Sequence, residues 1–115
     1  MDALEMALLF DYYGDLLTER QRMCFDLYHN QDLSLAEIAE NTGITRQGVR
    51  ESLKKSEADL RMFDEKLHLV ERIDALQKKC TECSEILEKT AGDVTDVSAK
   101  QSVLAIAELL KNLSV

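Results

Sequence analysis

The hydrophobic residues of this chain recur every three or four positions, a spacing that predicts α-helices along its whole length. A first helix is predicted from Asp2 to Tyr13. Hydrophobic residues surround it almost completely, with one face formed by Leu4, Ala7 and Leu8. We expect Gly14 to end this helix in the left-handed conformation, which glycine adopts at little cost. A second helix begins at Thr18, and its predicted apolar face comprises Met23, Cys24, Leu27 and Tyr28.

Three predicted helix starts have the spacing of a capping box, in which a Ser or Thr and a Glu or Gln three residues later satisfy free backbone amides. The pairs are Thr18 with Gln21, Ser34 with Glu37, and Ser98 with Gln101. The second pair predicts a short third helix that ends near Asn41. The third pair follows a predicted loop at residues 91–97 and opens a last helix with apolar residues Val103, Leu104, Ala107, Leu110 and Leu113.

The longest predicted helix begins at Arg46, and Thr45 is placed to cap it. Its apolar positions alternate steps of four and three residues, the pattern of a helix that packs lengthwise on another helix. They are positions 49, 53, 60, 63, 67 and 70, with the polar Ser56 completing the series. Two successive steps of three, to positions 73 and 76, displace the apolar face before it resumes at 80, 83 and 87. We therefore predict a bend or break near Val70.

The segment from Leu35 to Leu53 has the spacing of a helix-turn-helix. Two helices that cross steeply need a small residue at their contact, which Ala39 supplies. The short turn between them needs one residue with a positive φ, and Gly43 adopts that conformation most cheaply. Val49 and Leu53 would then hold the second helix on the first, leaving a polar face exposed.

That polar face has the chemistry of a DNA-reading helix. Arginine can donate two hydrogen bonds to guanine, and glutamine can pair with adenine. The hydroxyl of Thr45 would lie near a phosphate if this end of the helix points at DNA. We therefore predict a DNA-binding site at Thr45, Arg46, Gln47, Arg50 and Lys54. The alternative is a helical hairpin used for protein contact, with Arg46 and Arg50 as ordinary solvated charges. Gly48 is interpreted as a tolerated small residue and not as a point of close approach.

The charge distribution restricts where nucleic acid could bind. The net charge of the 115 residues is −8, whereas nucleic-acid-binding proteins usually have a basic surplus. Residues 1–44 contain two basic and nine acidic side chains, residues 45–60 contain four and three, and residues 61–115 contain eight and ten. Any phosphate contact is therefore expected on the predicted recognition helix, because the rest of the chain would repel DNA.

Composition excludes several classes of protein. The chain has no proline and only four glycines, which favours an all-α fold. No apolar run approaches the ~20 residues needed to span a bilayer. The acidic start of the chain lacks the basic stretch of a signal peptide, so we expect a cytoplasmic protein with reduced cysteines.

Cys80 and Cys83 have the spacing of a zinc-binding pair, but a tetrahedral site needs four ligands. The other candidates, Cys24, His29 and His68, form no second pair. Because both cysteines fall on the predicted apolar seam, we interpret them as small hydrophobic packing residues, and His68 as structural. No metal site, cofactor or catalytic residue is predicted, since the sequence shows no nucleophile motif, phosphate-binding loop or paired carboxylates. We do not expect an enzyme.

Three stretches resemble region 4 of sigma-70-type sigma factors, the module that binds the −35 promoter element. They are residues 17–21 (LTERQ), 33–40 (LSLAEIAE) and 44–50 (ITRQGVR). A closer resemblance, over roughly residues 1–75, is to the YlxM family of helix-turn-helix proteins encoded beside signal recognition particle genes. It rests on residues 9–14 (LFDYYG), 45–49 (TRQGV), 56–57 (SE) and 65–67 (EKL). The resemblance implies a regulator of, or accessory to, the signal recognition particle pathway, with recognition-helix roles for Thr45, Arg46, Gln47 and Arg50.

We therefore expect an all-α protein with a helix-turn-helix domain at residues 1–65 and a helical extension at residues 66–115 for dimerisation or partner binding. The expected function is nucleic-acid binding, with DNA as the favoured partner, in the regulation of signal recognition particle genes. The competing hypothesis is a module that binds a protein of that pathway without contacting DNA. Because the first helix is apolar nearly all round and the long helix has an extended seam, we also predict a homodimer. In the alternative monomer, the last helix would cover that seam.

Overall fold

The computed structural model describes residues 3–113, and within that range it contains six α-helices and no β-strand. The helices are α1 (Ala3–Tyr13), α2 (Glu19–Phe25), α3 (Leu35–Thr42), α4 (Arg46–Leu67), α5 (Leu69–Ala91) and α6 (Val97–Lys111). A 3₁₀ turn, Gly14–Leu16, follows α1, and a π-helical turn, Asp26–Asn30, continues α2. The predicted all-α class is confirmed, while the predicted start at Asp2 lies outside the described residues.

The chain divides into two compact units, Met1–Val70 and Glu71–Val115. The first unit holds α1 to α4, and the second holds α6 with all but the start of α5. The units separate near the beginning of α5, whereas the boundary expected at residue 65 falls inside α4.

The core of the first unit is built around α4, against which α1, α2 and α3 all pack. The buried residues of α4 are Val49, Leu53, Ser56 and Leu60, which follow the predicted seam. Ser56 is accommodated because its hydroxyl donates to the carbonyl oxygen of Ser52 at 2.7 Å. The rest of this core consists of Met6, Leu9, Tyr13, Leu17, Cys24, Phe25 and Ile38. The seam thus needs neither α6 nor a second copy to cover it as far as Leu60.

Helix α1, which the sequence showed to be apolar nearly all round, places only one of its sides in the core. Met6, Leu9 and Tyr13 are buried, whereas Leu4 is 76% exposed and Leu8 is 43% exposed. Hydrophobic residues surround this helix, so periodicity could not choose which side faces the core. The side of α1 that packs against α4 is the side that is buried.

The predicted face of the second helix was correct only in part. Cys24 is buried, but Met23 and Tyr28 are exposed, and Phe25 is completely buried instead. Phe25 shares a face with Gln21 and Cys24 at α-helical spacing, whereas the π-helical turn that begins at Asp26 changes the register of the positions after it, such as Tyr28. This local change of geometry has no signature in the apolar pattern.

Two of the three predicted capping boxes are confirmed. Thr18 pairs with Gln21 and Ser34 with Glu37, each with both reciprocal hydrogen bonds present. The third was wrong, because α6 begins at Val97 and its cap is Asp96, whose carboxylate accepts from the backbone N–H of Ser98 at 3.3 Å. Asp is as good a cap as Ser, so the spacing matched the wrong residue.

The predicted break near Val70 is confirmed, and a left-handed residue and a tyrosine hydroxyl define its geometry. Helix α4 ends at Leu67, and His68 has a φ of 53°, in the left-handed region. The buried hydroxyl of Tyr13 accepts from the backbone N–H of Leu69 at 2.9 Å and donates to Asp64 at 2.7 Å. This side chain therefore ties α1 to both sides of the break.

Gly14 does not end α1 in the left-handed conformation, so that expectation was wrong. Among the described residues Gly43 is the glycine with a positive φ, and Gly14 lies within the 3₁₀ turn. Gly14 matters sterically instead, because a Cβ there would lie 3.2 Å from the ring of Phe10.

In the second unit, α5 buries the predicted apolar positions only in part, since Ile73, Cys80 and Leu87 are half-buried. Leu76 is 54% exposed and Cys83 is also exposed, whereas Ser84 is buried. The hydroxyl of Ser84 donates to the carbonyl oxygen of Ala107 in α6 at 2.8 Å, which satisfies it inside the contact. The inward side of α5 consists of Ile73, Gln77, Cys80, Ser84, Leu87 and Ala91. Small and polar residues form much of this side, which an apolar pattern cannot detect.

The inward side of α6 follows the prediction in part. Ala107 is buried and Val103 and Leu110 are half-buried, but Leu104 is 42% exposed and Leu113 is 52% exposed. Across residues 3–113, no helix has the length and apolar character required to cross a membrane.

Candidate nucleic-acid interface

The turn between α3 and α4 has the geometry that its sequence predicted. Gly43 has a φ of 75° and a ψ of 5°, and its N–H donates to the carbonyl oxygen of Ala39 at 3.0 Å. The hydroxyl of Thr42 donates to the carbonyl oxygen of Ile38 at 2.7 Å. Thr42 Oγ1 in turn accepts from the N–H of Ile44 at 3.3 Å. These bonds end α3 and direct the chain into α4.

Thr45 caps α4, as expected. Its hydroxyl oxygen accepts from the backbone N–H of Gly48 at 3.0 Å. This bond uses one of the free amides at the start of the helix and leaves others available to a ligand. Val49 and Leu53 are buried and fix α4 against the core. The predicted site residues are then all exposed along the first turns of the helix: Thr45, Arg46, Gln47, Arg50 and Lys54.

The basic groups on this face are unpaired. Within residues 3–113, no ion pair or hydrogen bond engages the side chains of Arg46, Arg50 or Lys54. Arg22 differs from them, since its guanidinium contacts a carboxylate oxygen of Asp15 at 3.2 Å. The three unpaired cations therefore keep their hydrogen-bond donors free for an external anion.

Glu51 is the acidic neighbour of this face. The amide of Gln47 donates to its carboxylate oxygen at 3.2 Å, one helical turn away. Gln47 is thereby held against α4 and would have to exchange this bond for one to a base edge. A carboxylate next to the basic residues also weakens their attraction for phosphate.

Gly48 was misinterpreted as a merely tolerated residue. A Cβ at this position would lie 2.9 Å from Nη2 of Arg20 and 2.9 Å from Cγ2 of Ile44. Both distances are shorter than ordinary contacts, so Gly48 permits a close approach of Arg20 from α2 and of Ile44 from the turn. Sequence reasoning had no signal for Arg20, because the proximity arises only when α2 packs on α4.

A cavity of about 580 Å³ lies between the π-helical turn, α3 and α4. His29 lines it, stacking on Phe25 at a ring-centre distance of 4.1 Å. Its Nε2 is 3.5 Å from a carboxylate oxygen of Glu57 on α4. Through His29, the π-helical turn contacts α4.

The cysteines differ in environment. Cys24 is buried, Cys80 is half-buried and Cys83 is exposed, so the prediction that Cys83 packs in a seam was wrong. In the described part of the chain, no three His, Cys, Asp or Glu side chains are grouped closely enough to hold a metal ion. His68, interpreted as structural, forms the left-handed end of α4.

The capped helices, the left-handed glycine and the buried contacts of α4 define a helix-turn-helix protein. The chain belongs to the UPF0122 family, described as "Putative helix-turn-helix protein, YlxM / p13 like", whose model matches residues 1–103. The family expected from the sequence is thus confirmed. The description of the family is that of a helix-turn-helix class.

Several curated relatives share this family name. A UPF0122 protein of Thermoanaerobacter sp. strain X514 is 49% identical over 78 residues, covering 68% of this chain and 67% of the relative. A UPF0122 protein of Acetivibrio thermocellus is 42% identical over 109 residues, covering 95% and 87%. One of Symbiobacterium thermophilum is 39% identical over 104 residues, covering 90% and 92%. Since the first unit has 70 residues, all three similarities extend into the second unit, and the last two cover most of it.

Proposed function

We propose that this protein binds duplex DNA through the exposed first turns of α4. One observation supports this most directly: Arg46, Arg50 and Lys54 are exposed and engaged by no other side chain of the described residues. They follow a helix-turn-helix turn, which presents the start of its second helix to the major groove. Thr45 and Gln47 complete the site, as a phosphate contact and a base contact respectively.

The acidity of the chain limits the affinity of this binding and determines its dependence on salt. With 22 acidic and 14 basic residues, most of the surface repels a phosphate backbone. Affinity then depends on a small number of contacts at α4, so a single copy binds weakly. Binding weakens as salt rises, because each phosphate contact releases counterions.

The biological role we propose is regulation linked to signal recognition particle genes, in the bacterial cytoplasm. Its support is the family, in which helix-turn-helix proteins of this kind are encoded beside those genes. We further propose that the protein acts as a homodimer. Two copies could place two α4 helices on half-sites about one helical turn, roughly 34 Å, apart and so compensate for the weakness of each.

The test of DNA binding uses Arg46→Ala and Arg50→Ala. Each should weaken binding to a duplex selected from genomic fragments by about 1–3 kcal/mol, because each removes donors from the recognition face. Lys66→Ala, an exposed cation at the far end of the same helix, is the matched control and should leave affinity unchanged. Circular dichroism should show equal helicity in all variants. Unchanged binding in the Arg46/Arg50 double mutant would exclude direct readout by α4.

A second candidate function is a module that binds a protein of the same pathway. It is favoured by the large apolar side chains exposed on the second unit: Leu76, Ile86, Val97, Leu104, Ile106 and Leu109. Exposed hydrophobic patches commonly mark protein contacts. Electrophoretic mobility at two salt concentrations separates the hypotheses. A DNA-binding protein should shift a duplex at low salt and release it at high salt, whereas a protein-binding module should shift no duplex at either.

A further inference from the structure

A basic side chain from another helix lies beside the recognition helix. Arg20 is the second residue of α2, and its guanidinium reaches over Gly48 of α4. Its Nη2 lies 2.9 Å from the point where a Cβ of residue 48 would stand, and Thr45 Oγ1 lies 3.1 Å from the same point. The guanidinium is therefore located next to the capped start of α4.

This guanidinium is available to an external ligand. Arg20 is exposed, and throughout residues 3–113 no ion pair or hydrogen bond engages its side chain. It lines a shallow groove of about 270 Å³ together with Lys55. Lys55 is paired with Asp59 at 3.5 Å, so Arg20 is the cation of this groove that no carboxylate of the described chain neutralises. The neighbouring Arg22 differs in being paired with Asp15 at 3.2 Å.

The exposed surface of α4 has two flanks, one on each side of Gln47. Arg20 lies beside the flank on which α4 has no unpaired cation of its own. With 3.6 residues per turn, Gly48 lies about 160° around the helix from Arg50. Arg50 and Arg46 therefore lie on one flank, Arg20 lies on the other, and Gln47 lies between them. On this second flank α4 itself offers Gly48, Glu51, Ser52 and Lys55, and the ammonium of Lys55 is already paired with Asp59. The packing of α2 supplies an unpaired cation there.

We propose that Arg20 contacts a backbone phosphate on one side of the groove while Arg46 and Arg50 serve the other side. A helix in the major groove of B-form DNA, about 12 Å wide, has a phosphate backbone on each flank. Cations from two helices would then straddle Gln47. This assignment rests on the proposed binding of duplex DNA by α4. It also explains Gly48, since any larger residue would displace the guanidinium.

The test measures the affinity of full-length variants by fluorescence anisotropy over a range of salt concentrations. The probes are a short duplex that the wild type selects from a random pool and an unselected duplex of equal length. Arg20→Gln should lower the affinity for both duplexes by about 5- to 10-fold near 0.1 M salt. It should also reduce the slope of log K against log salt by about 0.9. The ratio between the two duplexes should not change, because a phosphate contact has no sequence information.

Arg22→Gln is the matched control, since it removes the same charge from the same helix at a residue already paired with Asp15. It should leave affinity and slope close to wild type. Arg20→Lys retains the charge and should retain the slope, and thermal melts of each variant show whether folding has changed.

Gly48→Ala provides an independent test. The added methyl group should displace the guanidinium and lower affinity in the wild-type background. It should lower affinity less in the Arg20→Gln background, because only the contact of the added methyl group with Ile44 remains there. An equal loss in both backgrounds would show that Gly48 acts without Arg20 and would overturn this part of the assignment.

The two proposals fail in distinguishable ways. If the wild type binds no duplex, or binds a folded RNA more tightly than any duplex, the proposed function fails and the assignment of Arg20 fails with it. If the wild type binds duplex DNA with a steep salt slope and Arg20→Gln matches it, only the assignment of Arg20 is overturned. A change in the ratio between selected and unselected duplexes would indicate a base contact instead and would likewise overturn it.

Discussion

Gly43 combines a φ of 75° with empty space around it, since a Cβ built there would meet no atom within 4 Å. The need for glycine is therefore conformational and not steric. A residue with a Cβ pays a cost in the left-handed region because the Cβ approaches the following carbonyl oxygen. This cost falls directly on the turn that sets the direction of α4.

Gly43→Ala should lower the free energy of unfolding by about 1–2 kcal/mol. Gly43→Asn is the matched variant and should cost less, because asparagine tolerates the left-handed conformation through local hydrogen bonds of its side chain. Urea unfolding followed by circular dichroism measures both. Equal losses for alanine and asparagine would contradict a conformational origin and would point instead to side-chain size.

At Gly48 and Gly14 the need for glycine is steric and not conformational. Each has an ordinary backbone conformation, and each is limited by a neighbouring side chain, Arg20 in one case and Phe10 in the other. Composition counts these glycines together, yet only the packing shows which property of glycine each position requires. For the candidate site this distinction matters, because Gly48 is what admits Arg20.

At the scale of the helices, capping decides where each one begins. Thr18, Ser34, Thr45 and Asp96 all accept from backbone amides of the first turn. The start of α6 shows the limit of pattern matching, because two residues with good capping side chains stand two positions apart. Asp96 has the additional advantage of a negative charge next to the positive end of the helix dipole.

Asp96→Ala should destabilise the second unit by about 0.5–2 kcal/mol, because it removes the cap of α6. Ser98→Ala is the matched control and should change stability by less than about 0.5 kcal/mol, since an exposed first-turn serine contributes no cap bond there. Urea unfolding of the full chain gives both values. The opposite ranking would restore Ser98 as the cap.

At the scale of the whole molecule, the two units are stabilised differently. The first unit buries large side chains such as Phe25, Ile38 and Leu60. In the second unit the buried residues are the small Ser84, Ala91 and Ala107, while large apolar residues of α5 and α6 remain exposed. We place the proposed dimer contact on this unit because a second copy would cover the apolar side chains that the helical pair leaves exposed.

Sedimentation equilibrium at tens of micromolar should give a mass near twice the 13.1 kDa of one chain. Leu109→Glu should reduce it to a monomer without loss of helicity, because Leu109 is 72% exposed and a charge would be buried in the dimer contact. Leu4→Glu, at a residue 76% exposed on α1, is the matched control and should remain dimeric. A mass near 13.1 kDa for the wild type would exclude the dimer. Leu60 is unsuitable for this test, since it is completely buried within its own chain.

The sequence by itself determined the features that depend on local chemistry. The all-α class follows from the period of the apolar residues, and the turn follows from Gly43 between two apolar segments. The capping boxes at Thr18 and Ser34 and the break near Val70 are local in the same sense. The polar face of α4, from Thr45 to Lys54, was also predicted, because Val49 and Leu53 mark its opposite side.

Tertiary structure decided whatever required one helix to choose among several possible contacts. Helix α1 is apolar on nearly every side, so only its packing on α4 could bury Met6 and Leu9 and leave Leu4 exposed. Helix α5 is bonded to α6 through the buried Ser84, a polar residue that a pattern of apolar residues cannot identify. Arg20 joins the candidate site because α2 lies across Gly48. The physical reason is common to all three: periodicity fixes which residues share a face, and only packing fixes what that face meets.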